Sequence, residues 1–228
     1  MLRRSIYGAI NRPFVASAPS GFAIVNSTSA RYTGEATGCT TAALDTTGAN
    51  LLLMAVGWYA SNPNRSDSKG NTWLPLATTN STNCNGKLYY ATAPVVGSGH
   101  TFSLNTAGAN EYASVCILAV SGSHASPVDN ETIWAGTGTT ATNGTGITPN
   151  QANSLVVASI AIFTGTSPTA TAIDGGFSIV QQQNANGAQN IGCALAYRIQ
   201  TSAALANPNW TLSESIEWAT RITAFKPA

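Results

Sequence analysis

The sequence predicts an all-β protein: a two-sheet antiparallel β-sandwich, jelly-roll-like, built from two similar halves and preceded by an extended N-terminal arm. Three observations carry this expectation. Short runs rich in Val, Ile, Thr, Tyr and Trp sit between Gly, Asn, Pro and Ser clusters, and helical periodicity is scarce. The stretch "GANLLLMAVGWYA" at 48–60 returns as "QANSLVVASIAIF" at 151–163, each time straight after Ala-Asn. Near the C-terminus, "SIEWATRITAF" at 215–225 alternates with the period of a strand.

Taken in chain order, strands are expected at 21–27, 38–44, 51–59, 72–78, 87–92, 100–104, 111–120, 131–135, 145–148, 155–163, 177–183, 193–200, 209–213 and 216–226. The repeat runs through most of them. "DSKGNTW" at 67–73 meets "IDGGFSI" at 173–179, and "GKLYYA" at 86–91 meets "GCALAY" at 192–197. "TFSLN" at 101–105 meets "NWTLS" at 209–213, and Glu111 meets Glu217 at an offset of 106. The landmarks keep one order, so two halves are expected at about 38–122 and 145–227, within a sandwich domain spanning 20–228. The runs at 51–59 and 155–163 lack alternation, which predicts central strands covered on both faces. A second arrangement joins two separate barrel-like halves through the Gly/Thr-rich stretch at 136–146. In the last strand, Ile216, Trp218, Thr220, Ile222 and Ala224 are expected to face the core, with Glu217 and Arg221 paired on the outer face.

Composition narrows the function classes. Charged residues make up 8% of 228, against about 25% in an average soluble domain, and the formal net charge is +1. No basic stripe points to nucleic acid. The apolar run at 51–60 is half the roughly 20 residues a bilayer-spanning helix needs, so no membrane partner is expected. After Arg3 and Arg4, the apolar stretch is broken by Asn11, Arg12 and Pro13, so no secretory signal is expected. A surface made of Thr, Ser, Asn, Gln and Gly suits virion and extracellular β proteins. Cys39, Cys84, Cys116 and Cys193 match no zinc or Cys-x-x-Cys spacing and read as free, buried, small hydrophobes in preference to disulfides.

Residues 1–19 stand apart. They carry no strand pattern before Phe14, yet hold Arg3, Arg4, Ile6, Tyr7, Arg12 and Phe14. An arm that docks on a neighbouring subunit would use such residues; a solvated terminus is the alternative.

The segments "SDSKGNTW", "LYYATAPVVGSGHTFSL", "ILAVSG", "TPNQANSLVVAS" and "EWATRITAFKP" resemble a loosely defined group of jelly-roll or concanavalin-like β-sandwich domains. That group occurs in bacteriophage virion proteins (decoration, fibre or tail) and bacterial surface proteins. The resemblance covers about residues 38–227 and rests on turn and packing signatures. It implies a non-enzymatic module of attachment, decoration or sugar binding, without cofactor or metal. The expected location is the virion exterior or, alternatively, a cell surface. The expected partners are other virion proteins of capsid or tail, further copies of the chain and, on the second reading, a host-surface glycan.

Candidate chemistry is sparse. Asp129 and Glu131 in "DNE" would share a side if extended, as a glycoside hydrolase pair requires, but no denser acidic strand motif accompanies them. His124 with Ser121, Ser123 and Asp129 could be drawn as a triad, yet no Gly-x-Ser-x-Gly elbow is present. His100 reads as a surface strand residue. Asp67, Asn71 and Asp174 could bind calcium, though the glycines beside them are ordinary turn chemistry. Trp134 in "ETIWAGTG" is the best candidate for an exposed sugar platform, with Asn130 and Asp129 close in sequence.

Overall fold

A computed structural model describes residues 21–32, 37–106, 112–164, 169–184 and 190–228. The described residues contain no helix. In the first half the strands are β1 (Ala23–Arg31), β2 (Gly38–Thr40), β3 (Leu51–Trp58), β4 (Asn64–Asp67), β5 (Leu74–Pro75), β6 (Thr79–Asn80), β7 (Asn85–Thr92), β8 (Phe102–Asn105) and β9 (Ala113–Ser121). The second half has β10 (Ser123–Ala141), β11 (Ser154–Thr164), β12 (Ala170–Ile173), β13 (Ser178–Asn184), β14 (Asn190–Gln200) and β15 (Trp210–Pro227).

Two six-stranded antiparallel sheets dominate. One has the order β1-β9-β3-β7-β5 with β6 also on β7; the other has β10-β15-β11-β14-β13 with β12 also on β15. A smaller sheet, β2-β8-β4, covers the outer side of the first. The expected repeat is visible in the pairing. β3 lies between β9 and β7, and β11 lies between β15 and β14.

Both central strands are buried on two faces. Leu51, Leu53 and Ala55 meet Leu155, Val157, Cys193, Leu195 and Phe225 in a core between the large sheets. Leu52, Met54, Val56 and Trp58 turn the other way, into a core shared with Phe102 and Leu104. In the second half Val156, Ala158, Ile160 and Ile162 do the same with Trp210 and Leu212. Every second residue serves a different interior, which is why these runs show no alternation in the sequence. The interior therefore has three apolar layers, one between the halves and one inside each.

The register corrects the expected alignment by one residue. Leu51 pairs with Val120 and Leu155 with Phe225, so β9 matches β15 at an offset of 105 rather than 106. The difference matters because a one-residue slip sends every side chain to the opposite face. Glu217 thus corresponds to Tyr112, which faces the other half, and Trp218 corresponds to the buried Ala113.

Several expected elements differ. The Gly/Thr-rich stretch is mostly strand, since β10 continues to Ala141. No strand forms at 145–148, where Gly144 and Gly146 have positive φ and Ile147 makes a single bridge to Ala206. The runs expected at 209–213 and 216–226 are one strand, β15. β4 and β12 were not expected; both are four residues long and largely exposed, so neither writes an apolar pattern.

The opposed sheets are arranged about an approximate two-fold axis through β3 and β11. β9 packs on β14 and β7 on β15, while β1 packs on β13 and β6 on β10. Near the axis the backbones come close through small residues. A β-carbon on Gly57 would lie 2.9 Å from the Gly192 carbonyl oxygen and 3.0 Å from Ala161 Cβ. Replacing Gly57 with Val is expected to cost about 1–3 kcal/mol through overpacking. A lowered urea midpoint with unchanged slope would show it; an unchanged midpoint would contradict the close approach.

Polar groups fasten the two flanks of the axis. On one side Gln181 Nε2 donates to Ser27 Oγ at 2.9 Å, and Gln183 Nε2 donates to Ser29 Oγ at 3.2 Å. On the other side Arg221 pairs with Glu131 and donates to the Ala77 carbonyl, while Ala77 N donates back to Glu131 Oε1 at 3.3 Å. Beside this clamp, Glu217 accepts from Asn83 N at 2.6 Å and Asn83 Nδ2 at 3.1 Å. The expectation of Glu217 and Arg221 as a pair on an outer face is therefore corrected. Both face the other half, and Arg221 is 2% exposed.

Candidate functional site

The described carboxylates organise loops. Asp67 is the clearest case. It accepts from Lys69 N at 2.9 Å, Asn71 Nδ2 at 3.0 Å, Trp73 Nε1 at 2.8 Å and Asn71 N at 3.2 Å, and it meets His100 Nε2 at 2.9 Å. Lys69, Asn71 and Trp73 belong to the "DSKGNTW" turn itself, folded back onto its first residue. Burial pushes the Asp67 carboxyl up, but hydrogen bonds from His100, Trp73, Lys69 and Asn71 outweigh it and hold the group below the usual carboxylate range. A carboxylate already surrounded by N–H donors has no lone pairs left for calcium.

His100 is not the surface residue expected. It is fully buried, stacks on Phe102 with ring centroids 4.3 Å apart, and places Nδ1 3.0 Å from Thr46 Oγ1. Thr46 in turn accepts from Gly97 N at 3.1 Å. Asp67, His100 and Thr46 thus form a closed chain that ties three loops together. The sequence could not show this, because the three lie far apart in it.

The expected acid pair separates. The register of β10 shifts between Val128 and Asn130, a bulge at Asp129. Asp129 then accepts from Asn150 N at 2.7 Å and Asn150 Nδ2 at 2.5 Å, while Glu131 turns to Arg221. The two carboxylates serve different contacts. His124 forms no triad either: it is exposed, and its Nδ1 accepts from Ser126 N at 3.0 Å. Asp174 accepts from Asn209 N at 2.7 Å and Asn209 Nδ2 at 3.1 Å, tying its turn to the segment that leads into β15. Among the described residues no three His, Cys, Asp or Glu side chains cluster as metal ligands. All four cysteines are free; Cys84, Cys116 and Cys193 are buried and Cys39 is half-buried.

Asn130 also has a structural role. Its Nδ2 donates to the Thr148 carbonyl at 2.7 Å. In the first half Asn26 Nδ2 donates to the Asp45 carbonyl at 3.1 Å, and β1 has its own register shift just before Asn26. Asn26 and Asn130 are the same part of the duplicated scaffold, each pinning the loop that leads into the central strand of its half.

Trp134 is different. It is 54% exposed, and it stands four residues after Asn130 on β10. Its counterpart four residues after Asn26 is Ala30, which is buried. The ring lies over Gly144, where a β-carbon would sit 3.1 Å from Trp134 Cε3. Gly144 has a φ of +61°, in the turn closed by Gly146 N donating to the Asn143 carbonyl at 3.1 Å. The turn is anchored by Asn143 Nδ2, which donates to the Pro208 carbonyl at 2.6 Å. Thr79, Asn80, Ile133 and Ala135 complete a depression of about 280 Å³ beside the ring. Asn80 of the first half lines this depression; Asn130 and Asp129 are not among its lining residues. The assembly residues Arg3, Arg4, Ile6, Tyr7, Arg12 and Phe14 lie outside the described residues, as do Glu35 and Glu111.

The chain matches no protein-family model and no curated protein.

Proposed function

We propose that this chain is a non-enzymatic structural protein of a bacteriophage virion, a multi-copy decoration or attachment subunit of capsid or tail. The observation that carries the reading is the use made of the acidic groups. Asp45, Asp67, Asp129, Glu131, Asp174 and Glu217 each accept hydrogen bonds from the loops or strands around them. Groups that would do acid–base chemistry are spent on holding the scaffold rigid. The outer surface is left to uncharged polar residues. A rigid body of low charge suits display on a particle, and the resemblance to virion sandwich domains points the same way.

The attachment segment in this proposal is residues 1–19, through their apolar residues and Arg3, Arg4 and Arg12. A chain lacking residues 1–19 is expected to fold, with the same thermal midpoint as the full chain, and to be absent from purified particles. Normal incorporation of the shortened chain would reject the anchor.

A further inference from the structure

We propose that Arg65 and Lys87 form an oxyanion-binding site where the small sheet meets the first large one, suited to the doubly charged group of a phosphate or phosphate monoester. Two positive charges share one aromatic ring there. The Arg65 guanidinium carbon stands 4.0 Å from the centroid of the Tyr89 ring, and Lys87 Nζ stands 5.6 Å from it. Neither cation forms an ion pair among the described residues, where Asp67 and Glu131 pair with His100 and Arg221 instead. Both side chains are half-buried, so solvent reaches them. The duplicated scaffold supplies a control. Leu104 pairs with Arg65 and its repeat mate Leu212 pairs with Ala170. Met54 and Val56 pair with Tyr89 and Lys87, while Ala158 and Ile160 pair with Ala196 and Ala194. The second half therefore closes the same place with three buried alanines. The two cations and their ring are an addition to the scaffold and not a requirement of it.

The arginine is preorganised. The Tyr89 ring is fully buried, and Asn62 Nδ2 donates to its hydroxyl at 3.0 Å, so the ring cannot swing. Stacking on that ring fixes the plane of the guanidinium and leaves its N–H edge as a rigid fork, the geometry that grips a phosphate through two hydrogen bonds. Arg65 Nε is buried without a hydrogen-bond partner. A guanidinium partly stripped of water, with a donor unspent, draws an anion more strongly than a hydrated one. The charge count selects the ligand. Desolvation first, and then the like charges of Arg65 and Arg221, pull the Lys87 ammonium below its ordinary value. A dianion held on Arg65 relieves that repulsion, because it balances both cations. Arg65 is the residue that contacts the ligand, and Lys87 supplies the second charge.

The test is titration of the full chain with inorganic phosphate and with methyl phosphate at about pH 8, where both are mainly dianions. Sodium chloride holds the ionic strength constant, so general screening does not change. The readouts are the NMR signals of the Arg65 Nε–H group and of Lys87 Cε. Saturable shifts of both are expected, with a dissociation constant on the order of 1 mM. Arg65→Lys keeps the charge but loses the fork, and is expected to weaken binding at least about tenfold. Lys87→Gln should weaken it by a smaller factor, and binding to the parent should weaken at about pH 5, where the ligand carries one charge. Equal binding of the two ligands assigns the site to a monoester carried on a larger molecule; binding of inorganic phosphate alone assigns it to the free ion. Shifts that never saturate, or undiminished binding by Arg65→Lys, would each overturn the proposal. The signals of the parent chain decide the first point even where a variant fails to fold. The outcome is also separable from virion attachment, which uses another segment of the chain.

Discussion

Glu131→Ala is expected to destabilise the chain by about 3 kcal/mol. The size follows from what is left behind. Arg221 sits on β15 inside the contact between halves, and burial pulls its guanidinium down to about 10. It remains charged at neutral pH, and Glu131 is its ionic partner. Without Glu131 the guanidinium keeps the Ala77 carbonyl but loses its counter-charge in a nearly dry site. The same reasoning predicts partial recovery. Glu131→Ala combined with Arg221→Leu should be more stable than Glu131→Ala alone, since an apolar residue there needs no partner. Denaturant titration of the two single variants and the double variant checks it. Additive losses in the double variant would show that the clamp is not a coupled pair.

Asp67→Asn should have the second large effect, about 3 kcal/mol, because one side chain receives donors from four residues. An amide in its place would turn an NH2 group toward some of those donors. The parent chain carries a pH signature of the same site. Asp67 is held below its ordinary value, so its ionised form favours the folded state. That contribution is present above the ordinary carboxylate range and is lost as the pH falls through that range toward the depressed folded value. Glu217 is also lowered: burial pushes it up, and donors from Ser81, Asn83 and Cys84 bring it down. Both groups therefore act in the same direction. Thermal midpoints of the parent should decline as the solution is acidified below about pH 4, and more shallowly in Asp67→Asn. Equal slopes would show that the Asp67 hydrogen bonds contribute nothing to acid stability.

The sequence carried the central strands and the duplication clearly, because burial on two faces leaves runs that few surfaces tolerate. Residues 51–58 and 154–164 needed no alternation rule to be found. The exact register was hidden. Loops of different length separate the landmarks, and a one-residue change of offset alters no composition, only which face a side chain takes. Arg221 shows the consequence. Alternation correctly put it opposite Trp218 and Ile222, but the face it occupies looks onto another sheet, and that depends on a contact with Ala77 far away in the chain. His100 was misjudged for the same reason, since Thr46 and Asp67 meet it through loops. Trp134 was legible as an exposed ring, while Thr79 and Asn80, which line the depression at β10, come from the opposite half and could not be read from nearby residues.

A place on an assembled particle is the proposal on which the anchor and display roles depend. The direct measurement is density-gradient fractionation of the native source, with the chain quantified by mass spectrometry against the major capsid component. Co-sedimentation with assembled particles in many copies per particle is predicted, persisting after washing in high salt because the proposed anchor is largely apolar. Recovery of the chain in the particle-free fractions alone would contradict it.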